Sequence, residues 1–475
     1  MTNTTTLMWF RQDLRLHDNP ALTNAAKAGT VIPVFIIDQQ HGGAWSPGAA
    51  SRVWLHQSLK QLNDSLAGKL LVFQGNPQAI INRLANDHSI DRVVWNRCYE
   101  PWRIDRDKHI KAALLANGIG CESFNGTLLW EPWHIHKKDG TPYRVFTPYY
   151  RKGCLQAPAP AEPLPVPELH LADPIEETCI DELLLEPEHP WHNDVISHWQ
   201  PGEYGAAERL TRFLEHGLEH YRHGRDYPAQ ASVSNLSPHL HFGEISIREV
   251  WHRAQISGLS SGQEDNLDCF LSELGWREFS YYLLFHFPSL PTDNFQPKFD
   301  AFPWQQNDTN LKAWQRGQTG IPIVDAGMRQ LWQTGTMHNR VRMITASFLV
   351  KNLLIHWHEG EKWFWDCLFD ADLAANSASW QWVAGSGADA APYFRIFNPV
   401  TQSQKFDADG QYIDQWVPEL KSLPSKHKHA PWDAPDSVLK QAGIQLGHQY
   451  PLPIADLKSS RQAALDAFAT LKKSA

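Results

Sequence analysis

The stretch Val31-Ile-Pro-Val-Phe-Ile-Ile37, closed by Asp38, decides the first half of the fold. A short apolar run ended by a turn former reads as a strand buried on both faces, the kind found in parallel sheets. Thr6-Leu-Met-Trp-Phe10, Lys69-Leu-Leu-Val-Phe73 (stopped by Gly75-Asn-Pro77), Arg92-Val-Val-Trp95 and Cys121 to Phe124 read the same way. Helical patterns fill the gaps at Pro20 to Ala28, Ala49 to Ala67, Pro77 to Asp87 and Arg103 to Asn117. Strand–helix alternation at this spacing predicts a Rossmann-like parallel sheet with helices on both faces. No Gly-x-Gly-x-x-Gly fingerprint accompanies it, so the dinucleotide motif is absent.

Downstream the composition changes. Pro158, Pro160, Pro163, Pro165 and Pro167 crowd one segment, followed by acidic Glu186 and Glu188, which predicts an extended, semi-rigid bridge. Beyond it a 3.6-residue period recurs over Glu203 to Leu214, Ile247 to Ile256, Leu267 to Phe285, Ile323 to Gln333, His338 to His356 and Glu361 to Leu368. The expected organisation is an α/β domain over 1–130, an interdomain linker over 131–204 and a helical domain over 205–475.

With 42% hydrophobic and 20% charged residues the chain has ample core for two or three domains. Six scattered cysteines without a CxxC pair argue for reduced thiols and against a disulfide frame or zinc site. No signal peptide or membrane span is read, so the expected location is cytoplasmic. The net charge of −9 argues weakly against nucleic acid. Yet Ala326 to His358 holds no acid and carries Arg329, Arg340, Arg342 and Lys351 with His338, His356 and His358, a candidate anion-binding strip set against the alternative of a solvated helix face.

Tryptophan is the other signal. Of 21 in the chain, nine fall between Trp276 and Trp382. Most are expected to be core, because an indole needs a large packed site. Glu273-Leu-Gly-Trp276 sets a carboxylate and an indole on one helix face. Asp370-Ala-Asp-Leu-Ala-Ala-Asn376 and Trp380-Gln-Trp382 follow, then a small-residue loop and Asp389 to Pro399. These residue types describe a pocket with flat aromatic walls, hydrogen-bonding groups and a cationic rim, suited to a nucleotide-like cofactor or a base.

The blocks Trp9-Phe-Arg-Gln-Asp-Leu-Arg-Leu-His-Asp-Asn-Pro20, Thr319-Gly-Ile-Pro-Ile-Val-Asp-Ala-Gly-Met-Arg329, Met337 to Val350 and Asp389 to Pro399 resemble the photolyase/cryptochrome family, within it the bacterial class I cyclobutane pyrimidine dimer (CPD) photolyases. The resemblance runs from Trp9 to about Ala430. It implies a helical domain that binds FAD, light-driven electron transfer from reduced FAD to a flipped-out dimer, and damaged DNA as the partner of a monomer. A signalling cryptochrome is the alternative. For the cofactor it implies Tyr221 and the segment Val233-Ser234-Asn235-Leu236-Ser237 at the phosphates, with Arg342, Asp370, Ala371, Asp372 and Asn376 around the flavin. Val233 and Asn235 stand where the family often has Thr and Arg, which leaves those two contacts to the backbone. For the substrate it implies Glu273, Trp276, Asn339, Met343 and Trp382 at the dimer, with Arg225, Arg340, Arg395 and Gln402 near the DNA. Trp380, Trp357 and Trp304 match the chain that re-reduces the flavin. Glu100 matches a carboxylate of an antenna site, whose chromophore would be a folate, a deazaflavin or a flavin. Two departures bear on subtype. Members that repair (6-4) lesions carry two His where this chain has Asn339 and Met343, and Thr336 replaces a Trp usual in class I.

Overall fold

A computed structural model of the chain describes residues 4–390 and 394–471. They form two compact units: Met1–Glu219 with Ser234–Pro288 and Phe369–Ala374, and His220–Val233 with Ser289–Leu368 and Ala375–Ala475.

The first unit is built on a parallel sheet. Its strands are β1 (Thr4–Phe10), β2 (Gly29–Asp38), β3 (Leu71–Gly75), β4 (Arg92–Asn96) and β5 (Gly120–Phe124), in the order β3-β2-β1-β4-β5. The helices α1 (Pro20–Ala28), α2 (Ala49–Ser65), α3 (Pro77–Asp87) and α4 (Pro101–Ala116) connect them. Asn19 starts α1 by accepting from the Leu22 amide (3.0 Å), and Asn76 starts α3 through Ala79 (3.0 Å), each followed by a proline at the first helical position. Side-chain alternation splits the strands between two cores. Met8 and Phe10 join one cluster with Val31 and Phe35, whereas Leu7 and Trp9 join the other with Ile32, Val34 and Ile36. This two-faced burial is what the apolar run predicts.

Pro33 sits inside the central strand β2, where a missing N–H is ordinarily costly. The pairing explains it. On the side away from β1, β2 pairs with β3 from Val34 onward and with a short sixth strand, β6 (His170–Leu171), only at Thr30 and Val31. Pro33 falls in the gap between them. β6 lies within the stretch expected to bridge the domains and adds a short strand to the sheet. Within the same stretch Phe146–Pro148 and a π-helical turn at Tyr149–Gly153 bury Phe146, Tyr149 and Tyr150.

Further helices of this unit are α5 (Glu203–His216), α6 (Ser237–Phe242), α7 (Ile247–Ser260) and α8 (Glu264–His286). Buried polar groups fasten them to the sheet. Arg15 donates to the carbonyls of Asp18 (2.9 Å), Gly126 (2.8 Å) and Gly243 (2.9 Å). Glu278 on α8 accepts from the amides of Leu129 (2.9 Å) and Trp130 (3.1 Å), and burial pushes its carboxyl up to about 7.

In the second unit α9 (Pro322–Thr334), α10 (Asn339–Ser347), α11 (Trp357–Cys367) and α12 (Leu373–Ala384, from Ala375) carry most of the sequence motifs. The single helix expected over His338 to His356 is broken. α10 passes into a π-helical turn at Phe348–Asn352, and Leu354 then takes a left-handed conformation (φ +55). Two histidines start the flanking helices: His338 Nδ1 accepts from the Arg340 amide (3.2 Å) and His356 Nδ1 from the His358 amide (3.1 Å). A cap that accepts must be unprotonated. Burial and the nearby charge of Arg342 press His338 down to about 4, and burial lowers His356 too.

The Thr319-Gly-Ile-Pro-Ile-Val-Asp325 block explains itself sterically. Gly320 is left-handed (φ +73), and a Cβ there would lie 2.4 Å from the Leu452 backbone. Asp325, fully buried, accepts from Thr319 N (2.7 Å), Thr319 Oγ1 (2.6 Å), Gly320 N (3.0 Å) and Tyr450 Oη (2.6 Å). Burial raises its carboxyl, and the hydrogen bonds from Thr319 and Tyr450 oppose the rise, so that it ends up at about 6. Among the described residues no cysteine is in a disulfide bond, and no helix is long and apolar enough to cross a membrane. Asp325→Ala strands these donors and is expected to cost about 3 kcal/mol or more, read as a lowered urea midpoint. Tyr450→Phe, which removes one bond, should cost roughly 1 kcal/mol.

Candidate functional site

In the first unit, Ser234 to Ser237 form a turn that runs into α6. Asn235 is left-handed (φ +52), the Leu236 amide donates to Ser234 Oγ (3.4 Å), and Pro238 follows Ser237. The turn is rich in hydroxyls and backbone amides, the groups that can hold an anion. Asp372 accepts from Tyr281 Oη, and His241 Nδ1 stands 3.7 Å from it. This carboxylate is therefore anchored and oriented as an acceptor. Asp370 is half-buried and Ala371 buried beside it. On α8, Glu273 and Trp276 are both half-buried, and Trp276 lies on the ring of Phe146. Glu100 starts α4, buried, with Oε1 3.4 Å from Arg103 Nε. Its Oε2 makes no hydrogen bond, so one oxygen of the expected antenna carboxylate is buried without a partner.

The second unit joins the three indoles of the expected electron chain through intermediate groups. Trp380 is buried against α11 so closely that a Cβ on Gly360 would meet its ring at 2.0 Å. Trp357 lies one turn earlier on α11, fully buried, with Nε1 donating to Asn294 (3.2 Å). Trp357 and the half-buried Trp304 both touch the His356 ring, at 5.6 and 5.0 Å between centroids. Trp380 also meets Trp314 (6.2 Å) and Phe364 (5.0 Å). Asn376 Nδ2 donates to the Glu361 carbonyl (3.0 Å), which leaves the amide oxygen as the group offered to a donor. Burial pushes the Glu361 carboxyl up to about 8, with Ser377 Oγ donating to it at 2.5 Å.

Asn339 and Met343 share one face of α10, four residues apart, with Asn339 exposed. Arg340 pairs with Asp226 (2.6 Å) and lies over Phe406 (4.4 Å), while Arg225 lies over the buried Tyr221 (5.7 Å). Arg342 Nε donates to the Met337 carbonyl (2.7 Å). Trp382, Ser347, Lys351 and the exposed Arg395 line one small cavity. Gln402 is half-buried on the helix Pro399–Phe406, and Val233 is half-buried. Ala391, Pro392 and Tyr393, within the Asp389 to Pro399 motif, lie outside the described residues.

The acid-free strip is not a continuous charged surface. Lys351 is buried, donates to the Ala384 carbonyl (2.6 Å) and is pushed well below the usual lysine range. Arg329 is bound to Glu419 (2.8 Å) and to the Gly317 carbonyl (3.0 Å). The apparent strip arose because the counter-charges, Asp226 and Glu419, lie far away in sequence. Sequence reasoning also passed over Gly360, Phe146 and Glu361, and placed His356 only in the acid-free strip. Gly360 carried a signal, since a glycine inside a helix costs roughly 1 kcal/mol against alanine and calls for a packing reason.

Two family models match the chain: "DNA photolyase" over residues 6–168 and "FAD binding domain of DNA photolyase" over residues 270–470. A deoxyribodipyrimidine photo-lyase of Agrobacterium fabrum is 49% identical, covering 98% of each chain. Cryptochrome-2 of Arabidopsis thaliana is 41% identical over 96% of this chain and 77% of its own. A solved bacterial class III photolyase from Agrobacterium tumefaciens superposes with a TM-score of 0.95 at 47% identity, covering 100% of this chain and 98% of the other. With these models covering most of the chain and a full-length relative at 49% identity, the chain belongs to the photolyase/cryptochrome family.

Proposed function

We propose that this protein is a deoxyribodipyrimidine photo-lyase that repairs cyclobutane pyrimidine dimers in DNA under light. The observation that carries the reading is full-length similarity to a photo-lyase at 49% identity. Bound FAD, in its reduced form, supplies the light absorption and the electron. The donor set supports FAD: an anchored acceptor at Asp372, an amide whose oxygen is free to accept at Asn376, and a hydroxyl- and amide-rich turn at Ser234 to Ser237. Tyr221, Val233, Arg342, Asp370 and Ala371 complete the assigned surround.

The chain's own groups then have distinct tasks. Flipping the lesion out of the duplex is needed because the dimer cannot reach a buried donor while stacked. Trp276 and Trp382 are assigned to its faces, where stacking contributes roughly 1–3 kcal/mol per base. Glu273, Asn339 and Met343 are assigned to its polar edge and walls, and Arg225, Arg340, Arg395 and Gln402 to the strand around it. Contacts to phosphate fix register without reading sequence. Trp380, Trp357 and Trp304 are assigned to reloading the donor with electrons. We take the protein to act as a monomer in the cytoplasm. Its sequence-level division is 1–130, 131–204 and 205–475, and Glu100 is the candidate for a second chromophore of open identity.

Within the family, the motifs suggested class I. The 47% identity to a class III photolyase over the whole chain favours class III instead, and Thr336, which departs from the class I pattern, agrees. The 41% identity to a plant cryptochrome supports a second reading, a blue-light receptor with little repair.

Loss of thymine dimers from irradiated DNA, in light and with reduced protein, separates the two. Repair is expected, and its absence from a flavin-loaded preparation favours the receptor. Trp357→Phe should abolish photoreduction of oxidised flavin while leaving repair by chemically reduced protein within about twofold; equal loss of both removes the Trp assignment. Neither Asn339 nor Met343 supplies the proton donor a (6-4) lesion requires. No turnover of (6-4) photoproducts is therefore expected, checked by chromatography of a defined lesion oligonucleotide.

A further inference from the structure

The chain before α5 holds a feature that core packing does not require. Trp276 lies face to face on Phe146, with centroids 3.9 Å apart and planes within 10°. Phe146 in turn lies parallel to Tyr150 (5.5 Å, 9°). Two aromatic rings left to themselves prefer offset or edge-on arrangements. Here the stack is imposed by the fit of segment 143–154 along α8, which is bolted at three heights. Arg151 forms a two-pronged pair with Asp268 (2.6 and 2.5 Å). Tyr150 slots against Gly275, where a Cβ would meet its ring at 2.6 Å. Tyr282 Oη accepts from the Tyr143 amide (3.0 Å). Tyr149 adds ring contacts to Phe279 (5.0 Å) and Tyr282 (4.6 Å).

The consequence falls on Trp276. One indole face is permanently covered, and its edge meets Phe279 (5.9 Å, 71°). The side chain is thus held in one plane before any ligand arrives. An unsupported indole would have to be ordered on binding, at a cost in affinity. We propose that Phe146, backed by Tyr150, is a positioning residue for dimer recognition, acting by fixing the plane of Trp276 so that its other face is ready to stack on the flipped lesion. This rests on the assignment of Trp276 to the lesion made above.

The test is a double-mutant cycle on flavin-loaded protein in the dark, with affinity measured for an oligonucleotide carrying one thymine dimer and for its undamaged twin. Phe146→Leu should weaken dimer binding about tenfold and leave undamaged DNA within twofold. Phe146→Tyr, which keeps the ring, should restore it. In a Trp276→Leu background Phe146→Leu should cost nothing further, because its effect runs through the indole. Additive losses, or equal losses on both DNAs, overturn the proposal in favour of a structural role. Wild-type protein without preference for the dimer overturns the functional reading and this one with it. Wild-type preference that survives in both single variants overturns this one alone. If Phe146→Leu does not hold flavin, Phe146→Met, which approximates the volume without the plane, carries the same cycle.

Discussion

The first unit depends on one buried cation. Arg15 is almost wholly sealed from solvent, and its guanidinium is spent on backbone carbonyls from three places in the chain: its own loop, the turn after β5 and the end of α6. A buried charge of this kind is tolerable only when nearly every donor is matched. Asp18, also buried, receives Arg248 from α7 and the Leu164 amide from the proline-rich segment (2.9 Å). Sheet, bridge and helices thus converge on one charged node. Gly243 has to be glycine there, since a Cβ would strike the Gln12 carbonyl at 2.1 Å.

That node explains why the compact units cut the chain differently from its composition. The sequence changes character near residue 205, but α5 to α8 are fastened to the first part of the chain by Glu203 (accepting from the Leu16 amide, 2.9 Å), Arg15, Arg248, Glu278 and the Trp54–Glu244 bond (2.9 Å). Composition reports how residues are distributed along the chain. It is silent on buried polar bonds between residues over a hundred positions apart.

Much of the rest was legible locally. Strand positions followed from apolar runs, and α1 and α3 from Asn–Pro starts, because those signals act over a few residues. β1 to β5 and α1 to α4 differ from expectation only at their ends, whereas the two-residue β6 was too short to leave a pattern. The break after α10 was hidden, since Phe348 to Leu354 is apolar enough to continue a helical pattern. The site was legible only as motifs. Nothing in the spacing joins Trp357 to Trp304, because the link is His356, chosen by three-dimensional packing. The strip of arginines misled for the same reason, its counter-charges being distant in sequence. Residues that support others, such as Phe146 behind Trp276, carry no chemistry of their own and so give pattern reading nothing to find.

The glycine at 360 has a consequence for the proposed electron route. With no side chain there, the Trp380 ring rests on the backbone of α11 itself. No rotamer stands at that contact to swing in or out, and core packing holds both surfaces in place. Electronic coupling across it should therefore vary little with thermal motion. On the proposed route, the step from Trp380 toward Trp357 would cross a stiff, buried contact, with a small reorganisation energy and a rate expected to change only modestly with temperature.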